Sequence, residues 1–84
     1  MRFVIHYGPR AGFEDEALGL ARRLFAHFDE QIESLTLVPV PEAEFDLVLD
    51  DLCIHSYRQS GRVPRLSDVL TLHSGSSASA VDYP

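Results

Sequence analysis

Sulfur, imidazole and carboxylate are the groups that could let this chain do chemistry, and they are thinly spread. Cys53 is the one cysteine. It excludes an internal disulfide and any two-thiol redox cycle within the chain. A lone thiol could still serve a one-thiol redox or glutathione-linked activity, which requires the thiolate. The only basic neighbour is His55, two positions on. A free cysteine in a strand is otherwise a small packing residue. Alternation places His6, Asp46, Cys53 and His55 on one sheet face, a mixed set of metal donors. No C-x-x-C or H-x-x-x-H spacing accompanies them, so tetrahedral convergence is not expected, and no metal or cofactor is implied. No Ser-His-Asp order or paired-carboxylate motif stands out.

The stretch with the outline of a site is Tyr7-Gly8-Pro9-Arg10-Ala11-Gly12. It joins a strand-like run to a helical pattern, and a helix N-terminus offers unpaired N–H groups and partial positive charge. Arg10 and the N–H groups of Ala11 and Gly12 could together hold an anion. Gly8 and Gly12 alone do not make a G-x-G-x-x-G or phosphate loop.

The elements that must position these residues are legible from periodicity. Arg2 to Tyr7 is rich in β-branched and aromatic residues and reads as a strand, ended by the glycines and Pro9. Phe13 to Phe28 reads as a helix. Phe13, Ala17, Leu20, Ala21, Leu24, Phe25 and Phe28 recur at three- and four-residue steps. Glu14, Asp15 and Glu16 complement its dipole at one end, and Arg22, Arg23 and His27 do so toward the other. Ile32 to Val40 reads as a second strand, finished by Pro39 and Pro41. Strand, helix and strand make a β-α-β unit, with a parallel pair and right-handed crossover.

Phe45 to Leu49, Asp50-Asp51 and Leu52 to Tyr57 read as a hairpin, since Asp tolerates the positive φ of a two-residue turn. That turn sets Val48 opposite Cys53, Leu47 opposite Ile54 and Asp46 opposite His55. It puts Phe45, Leu47, Leu49, Leu52 and Ile54 in the core. A loop through Gly61 and Pro64 leads to a short helix from Leu66 to Leu72. Residues 73–84 are small and polar and are expected to form a flexible tail. The order is β-α-β-β-β-α: an α/β (α+β) domain over residues 1–72 with a four-stranded mixed sheet and two helices on one face. The open face should carry Val4, Val38, Val48 and Cys53, with His6, Thr36, Asp46, His55 and Tyr57 around them. An apolar stripe on an open sheet is expected to serve as a docking surface, the other reading being the half-polar exposed face of an ordinary monomer.

Eighty-four residues make a single domain. A chain this small buries about 60% of its unfolded surface, so self-association or a protein partner would supplement its stability. The net charge of −6 argues against nucleic acid and anionic membranes as partners. No secretory signal pattern is visible and no apolar run reaches spanning length, so a cytoplasmic location is expected.

In order and spacing, several segments resemble the selenoprotein W-like (Rdx) family of small thioredoxin-like proteins. They are Val4-Ile5-His6-Tyr7; Ala21, Leu24 and Phe28; Leu35-Thr36-Leu37-Val38-Pro39; Phe45-Asp46-Leu47-Val48-Leu49-Asp50; Ile54-His55-Ser56; and Gly61-Arg62-Val63-Pro64. The resemblance spans roughly residues 3 to 72 and implies a thioredoxin-like fold. The family's Cys-x-x-Cys or Cys-x-x-selenocysteine motif follows the first strand's terminal Tyr. Gly8-Pro9-Arg10-Ala11 stands there instead, and neither Gly8 nor Ala11 carries a sulfur. The resemblance therefore implies no catalytic residue at these positions and leaves enzymatic activity uncertain. The expected function is a redox-inactive protein-binding module, docking through Gly8–Gly12, the Val63-Pro64 loop and the valine-bearing sheet face. The alternatives are a thiol-dependent redox protein using Cys53, or a small anion- or metal-binding protein.

Overall fold

A computed structural model describes residues 1–79, with side chains through residue 72. The strands are β1 (Arg2–Tyr7), β2 (Ser34–Pro39), β3 (Phe45–Leu49) and β4 (Leu52–Ser56), and the helices are α1 (Glu14–Phe28), α2 (Tyr57–Ser60) and α3 (Leu66–Ser79). The sheet order is β2-β1-β3-β4. β1 pairs with β2 in parallel and with β3 antiparallel, as a β-α-β unit followed by a hairpin requires.

One side of this sheet is the core. Cross-strand pairs Phe3–Leu35, Ile5–Leu37, Phe3–Leu49, Ile5–Leu47 and Tyr7–Phe45 set its rows. Ala17, Leu20, Leu24 and Phe28 of α1, and Val69 of α3, close over them. Phe3, Ile5, Leu20, Leu24, Phe45, Leu47 and Val69 are fully buried, each stabilising the fold by about 1.5–3 kcal/mol where the side chain is a Val, Leu, Ile or Phe. Phe25, expected in the buried stripe, lies at its margin and is 49% exposed.

The hairpin departs from its expected register. Asp50 and Asp51 do form the turn, with φ of 49° and 70°, and Leu49–Leu52 and Val48–Cys53 pair as expected. Beyond them the register shifts: His55, not Ile54, stands opposite Leu47, and Ser56, not His55, stands opposite Asp46. Ile54 is the extra residue of a β-bulge. The shift turns His55 away from the open face, so its expected place beside Val48 and Cys53 is wrong. Tyr57 leaves the sheet as well. It begins α2, and its ring meets Phe13 edge-on at 4.9 Å. Leu52, expected in the core, is 61% exposed, because it starts an edge strand beside the turn, where an open cleft separates it from Thr71 and Leu72 of α3.

α3 continues to Ser79, past the expected boundary at Leu72. Each added residue of an established helix gains a backbone hydrogen bond without a new nucleation cost. Residues 73–79, expected in the flexible tail, are therefore helical, and the rest of that stretch lies outside the described residues.

Gly19 sits inside α1, where glycine lacks the helix preference of alanine. A Cβ built there meets nothing closer than the end of the Arg23 side chain, at 3.5 Å. Gly19→Ala should therefore raise the unfolding free energy by about 0.5–1 kcal/mol, measured by urea denaturation. Unchanged or lowered stability would show that the space beside Gly19 is already in use.

Candidate functional site

The Gly8–Gly12 loop is built by tight local bonding. Pro9–Ala11 form a single 3-10 turn, and Gly12 ends it with φ of 85°, a left-handed conformation that glycine adopts without steric cost. The N–H of Ala11 donates to Gly8 O at 3.1 Å, that of Gly12 to Pro9 O at 3.0 Å, and that of Phe13 to Gly8 O at 3.3 Å. The donors expected to meet an anion with Arg10 are thus spent within the loop. Glu14, Asp15 and Glu16 follow in the first turn of α1, adding negative charge where an anion would sit. Pro9, Arg10, Ala11 and Gly12 remain exposed.

Gly8 is buried. Its N–H donates to Glu44 O at 2.8 Å. A Cβ at this position would collide with the carbonyl oxygen of Glu42, and would lie 3.3 Å from the Glu44 nitrogen. The obstacle is backbone, which cannot swing aside as a side chain would. The segment joining β2 to β3 fills the space a side chain at position 8 would need.

Val63 and Pro64 lie on the far wall of a separate cleft of about 540 Å³. The near wall is α1, through Asp15, Glu16, Gly19 and Arg23. Residues 8–12 do not line it, so the two expected docking loops contribute to different surfaces.

The open sheet face carries a row running Thr36, Val4, Val48 and Cys53 across all four strands. Val38, His6 and Asp46 form the next row. Cys53 is exposed, and its Sγ donates to His55 O at 3.5 Å. The His55 ring lies on the other side of the strand, which takes away the one basic side chain expected to assist the thiol. It also breaks up the His6, Asp46, Cys53 and His55 donor set. Among the described residues, no group of three or more His, Cys, Asp or Glu could hold a metal ion.

What the sequence did not reveal is the cluster that receives His55. Its Nε2 lies 2.9 Å from both Ser60 Oγ and Arg62 O, and its Nδ1 lies 3.7 Å from an Asp68 oxygen. The residue types are those of a serine hydrolase, but the protons are wrongly placed. Arg62 O can only accept, so Nε2 carries the hydrogen in that bond and is no base toward Ser60. Ser60 Oγ donates to Ser56 O at 2.8 Å, and 3.7 Å is too long for a hydrogen bond. The cluster is a clasp. Arg62 grips Asp68 with both terminal nitrogens, at 3.1 and 2.6 Å. Asp68 also accepts the Arg65 N–H at 2.7 Å, a side chain three residues into α3 satisfying the N-cap backbone. The sequence signal was the acid three positions after Arg65, the second half of a capping box.

Burial pushes the Asp68 carboxyl up. The hydrogen bonds from Arg62 and the Arg65 backbone, with the charges of His55 and Arg62, outweigh it and hold the group below its ordinary value of 3.8. A carboxyl lowered in the folded state stabilises that state at pH values above the unfolded pKa, and the contribution fades as pH falls through the folded one. Asp68→Asn should therefore be less stable than the unaltered chain at pH 7, with the difference shrinking below about pH 4. Asp68→Ala should cost about 1–2 kcal/mol at neutral pH by analogy with loss of a cap, read from denaturant midpoints.

The model of the Rdx family matches residues 2–72. No curated protein matches the chain. Among solved structures, a selenoprotein W-related protein from Vibrio cholerae superposes with a TM-score of 0.75 at 22% identity, covering 81% of this chain and 85% of that one. A protein from Bordetella parapertussis superposes with a TM-score of 0.78 at 17% identity, covering 88% and 95%. At these identities the likeness is one of fold: a four-stranded mixed sheet with helices, as in selenoprotein W-related thioredoxin-like proteins.

Proposed function

This chain belongs to the Rdx family, and on that premise we propose that it is a redox-inactive, protein-binding module of the selenoprotein W-like type, working in the cytoplasm. The observation that carries the reading is the packing of Gly8. Family likeness puts the redox motif directly after the Tyr that ends β1, so Gly8 and Ala11 hold its two chalcogen positions. Ala11 lacks the sulfur. Gly8 lacks it too, and the Glu42 carbonyl leaves no room for one. The motif is thus both missing and built over. The exposed 3-10 turn from Pro9 to Ala11 and the Val63-Pro64 segment remain as surfaces for a partner chain. No described helix is long and apolar enough to cross a membrane.

Two measurements test this. Gly8→Cys with Ala11→Cys should not restore thiol–disulfide exchange on an insulin substrate. The double variant should also lose about 1–3 kcal/mol of stability through overpacking. A photo-reactive side chain at Arg10 or at Val63 should capture a defined protein in the native cells, while one at Glu30, at the opposite end of α1, should not. A stable, disulfide-exchanging double variant would sink the inactive reading, and equal capture from all three positions would sink the docking assignment.

A further inference from the structure

The outer edge of β2 is an unused ladder. β2 lies at one border of the sheet, and only β1 pairs with it. Toward its two ends the N–H groups of Ser34 and Val40 point inward, to Met1 O at 3.4 Å and Tyr7 O at 2.8 Å. Hydrogen-bonding direction alternates along a strand, so the N–H and C=O groups of Leu35 and Leu37 point outward. Among the described residues no backbone group bonds to them. Sheet edges are commonly blunted by charge, a bulge or a covering segment. Ser34–Pro39 holds no charged residue, and its register with β1 is unbroken. Pro39 only ends the row, having no N–H to offer. The layer above this edge is apolar too. Leu18 and Phe25, two turns apart on one flank of α1, are 43% and 49% exposed. The other flank, through Gly19 and Arg23, faces Val63 and Leu66, and α3 packs on the β4 side of the sheet. The Leu18–Phe25 flank therefore overhangs the β2 border. Helix and strand are also level. Phe28 meets Phe3, whose β2 neighbour is Leu35, and Phe13 meets Phe45, in the row of Tyr7 and Pro39. The middle of α1 thus stands over Thr36 and Leu37, and the helix runs antiparallel to the strand.

We propose that this border binds a second copy of the chain, edge to edge, with the two β2 strands antiparallel about a two-fold axis at Thr36. What argues for a copy is that one axis must satisfy both layers of a self-complementary interface, and here it does. In the strand layer, pairing centred on Thr36 sets Leu35 opposite the partner's Leu37, with both side chains on the helix-covered face. Opposed residues of this kind exchange both of their hydrogen bonds, and the axis repeats the exchange. The outward N–H and C=O groups of Leu35 and Leu37 are then all used. In the helix layer, the same axis lays α1 antiparallel beside the partner's α1, because the middle of each stands over the middle of its β2. Leu18 then meets the partner's Phe25, and Phe25 the partner's Leu18. The pair forms one continuous sheet with β4 outermost at both ends. The interface uses no residue of Gly8–Gly12 or Val63-Pro64, so it goes beyond the docking surfaces above, and its failure would leave them untouched.

The test uses the full chain carrying Cys53→Ser, in about 0.3 M salt to screen the net charge of −6 on each copy. An interface smaller than the standard of about 800 Å² per partner is a weak one, so sedimentation velocity should show monomer giving way to dimer between about 10 µM and 1 mM. Over the same range, hydrogen exchange at the Leu35 and Leu37 amides should slow at least tenfold. Leu18→Glu with Phe25→Glu, both at exposed positions, should weaken the dimer at least tenfold and leave the circular dichroism of the monomer unchanged. Register is read by cross-linking under oxidised glutathione. Thr36→Cys should join two copies, because directly opposed residues of a non-hydrogen-bonded pair lie about 4.5 Å apart, within disulfide reach. Ser34→Cys and Val38→Cys should not, since each lies about 13 Å along the strands from its own copy. A chain that stays monomeric at the upper concentration overturns the proposal and leaves the edge to a foreign strand. Equal cross-linking at the three positions overturns it too, as does an undiminished dimer in the chain with Leu18→Glu and Phe25→Glu.

Discussion

β1 is hydrogen-bonded along both of its edges, and the rest of the domain is arranged by that fact. Its parallel partner forces the crossover through α1, and its antiparallel partner begins the hairpin. Phe3 and Ile5 then sit where both ladders and α1 converge, at zero exposure. Each candidate site takes its position from this strand. The Gly8–Gly12 turn leaves its C-terminal end, the open-face row passes through Val4, and α1 is held where its N-terminal half can wall a cleft.

The position after that strand is closed by packing. Here the β2–β3 connection has settled on Gly8, held by the bond to Glu44 O, so that backbone occupies the place of a side chain. What remains open lies to the side, along α1. There the chain keeps a glycine, Gly19, that lowers helix stability, while the acidic first turn of α1 supports the helix through its dipole.

Much of this architecture was readable before any coordinates. Three- and four-residue steps marked α1, alternation marked β1 and β3, and Asp50-Asp51 marked the turn. Those signals are local and repeat over many residues. The errors came from single residues whose effect is not local. Ile54 looks like one more alternating apolar position, yet as a bulge it sends His55 and Tyr57 to places that alternation forbids. Leu52 fits the core pattern, but burial depends on which helix reaches that edge. The small polar composition after Leu72 hides a helix that the capping around Asp68 has already started. The Gly8–Gly12 site was legible as a place and not as a state. Sequence shows which N–H groups a turn has, while only the folded turn shows that they are already bonded. The clasp of His55, Ser60, Arg62 and Asp68 was beyond reach for the same reason, since the bulge creates it.

The bulge has one more consequence, for the behaviour of the domain in concentrated solution. β4 is an edge strand whose one ionisable side chain besides Cys53, His55, turns into the clasp, and it shows Leu52 and Cys53 to solvent. A straight edge of that composition would invite a second chain to add itself and carry the sheet onward. The extra residue at Ile54 breaks the two-residue rhythm of donors and acceptors that an added strand must match. The fold thus guards its least protected border with a change of spacing rather than with charge, and deleting that residue would put the border at risk of fibrillar growth.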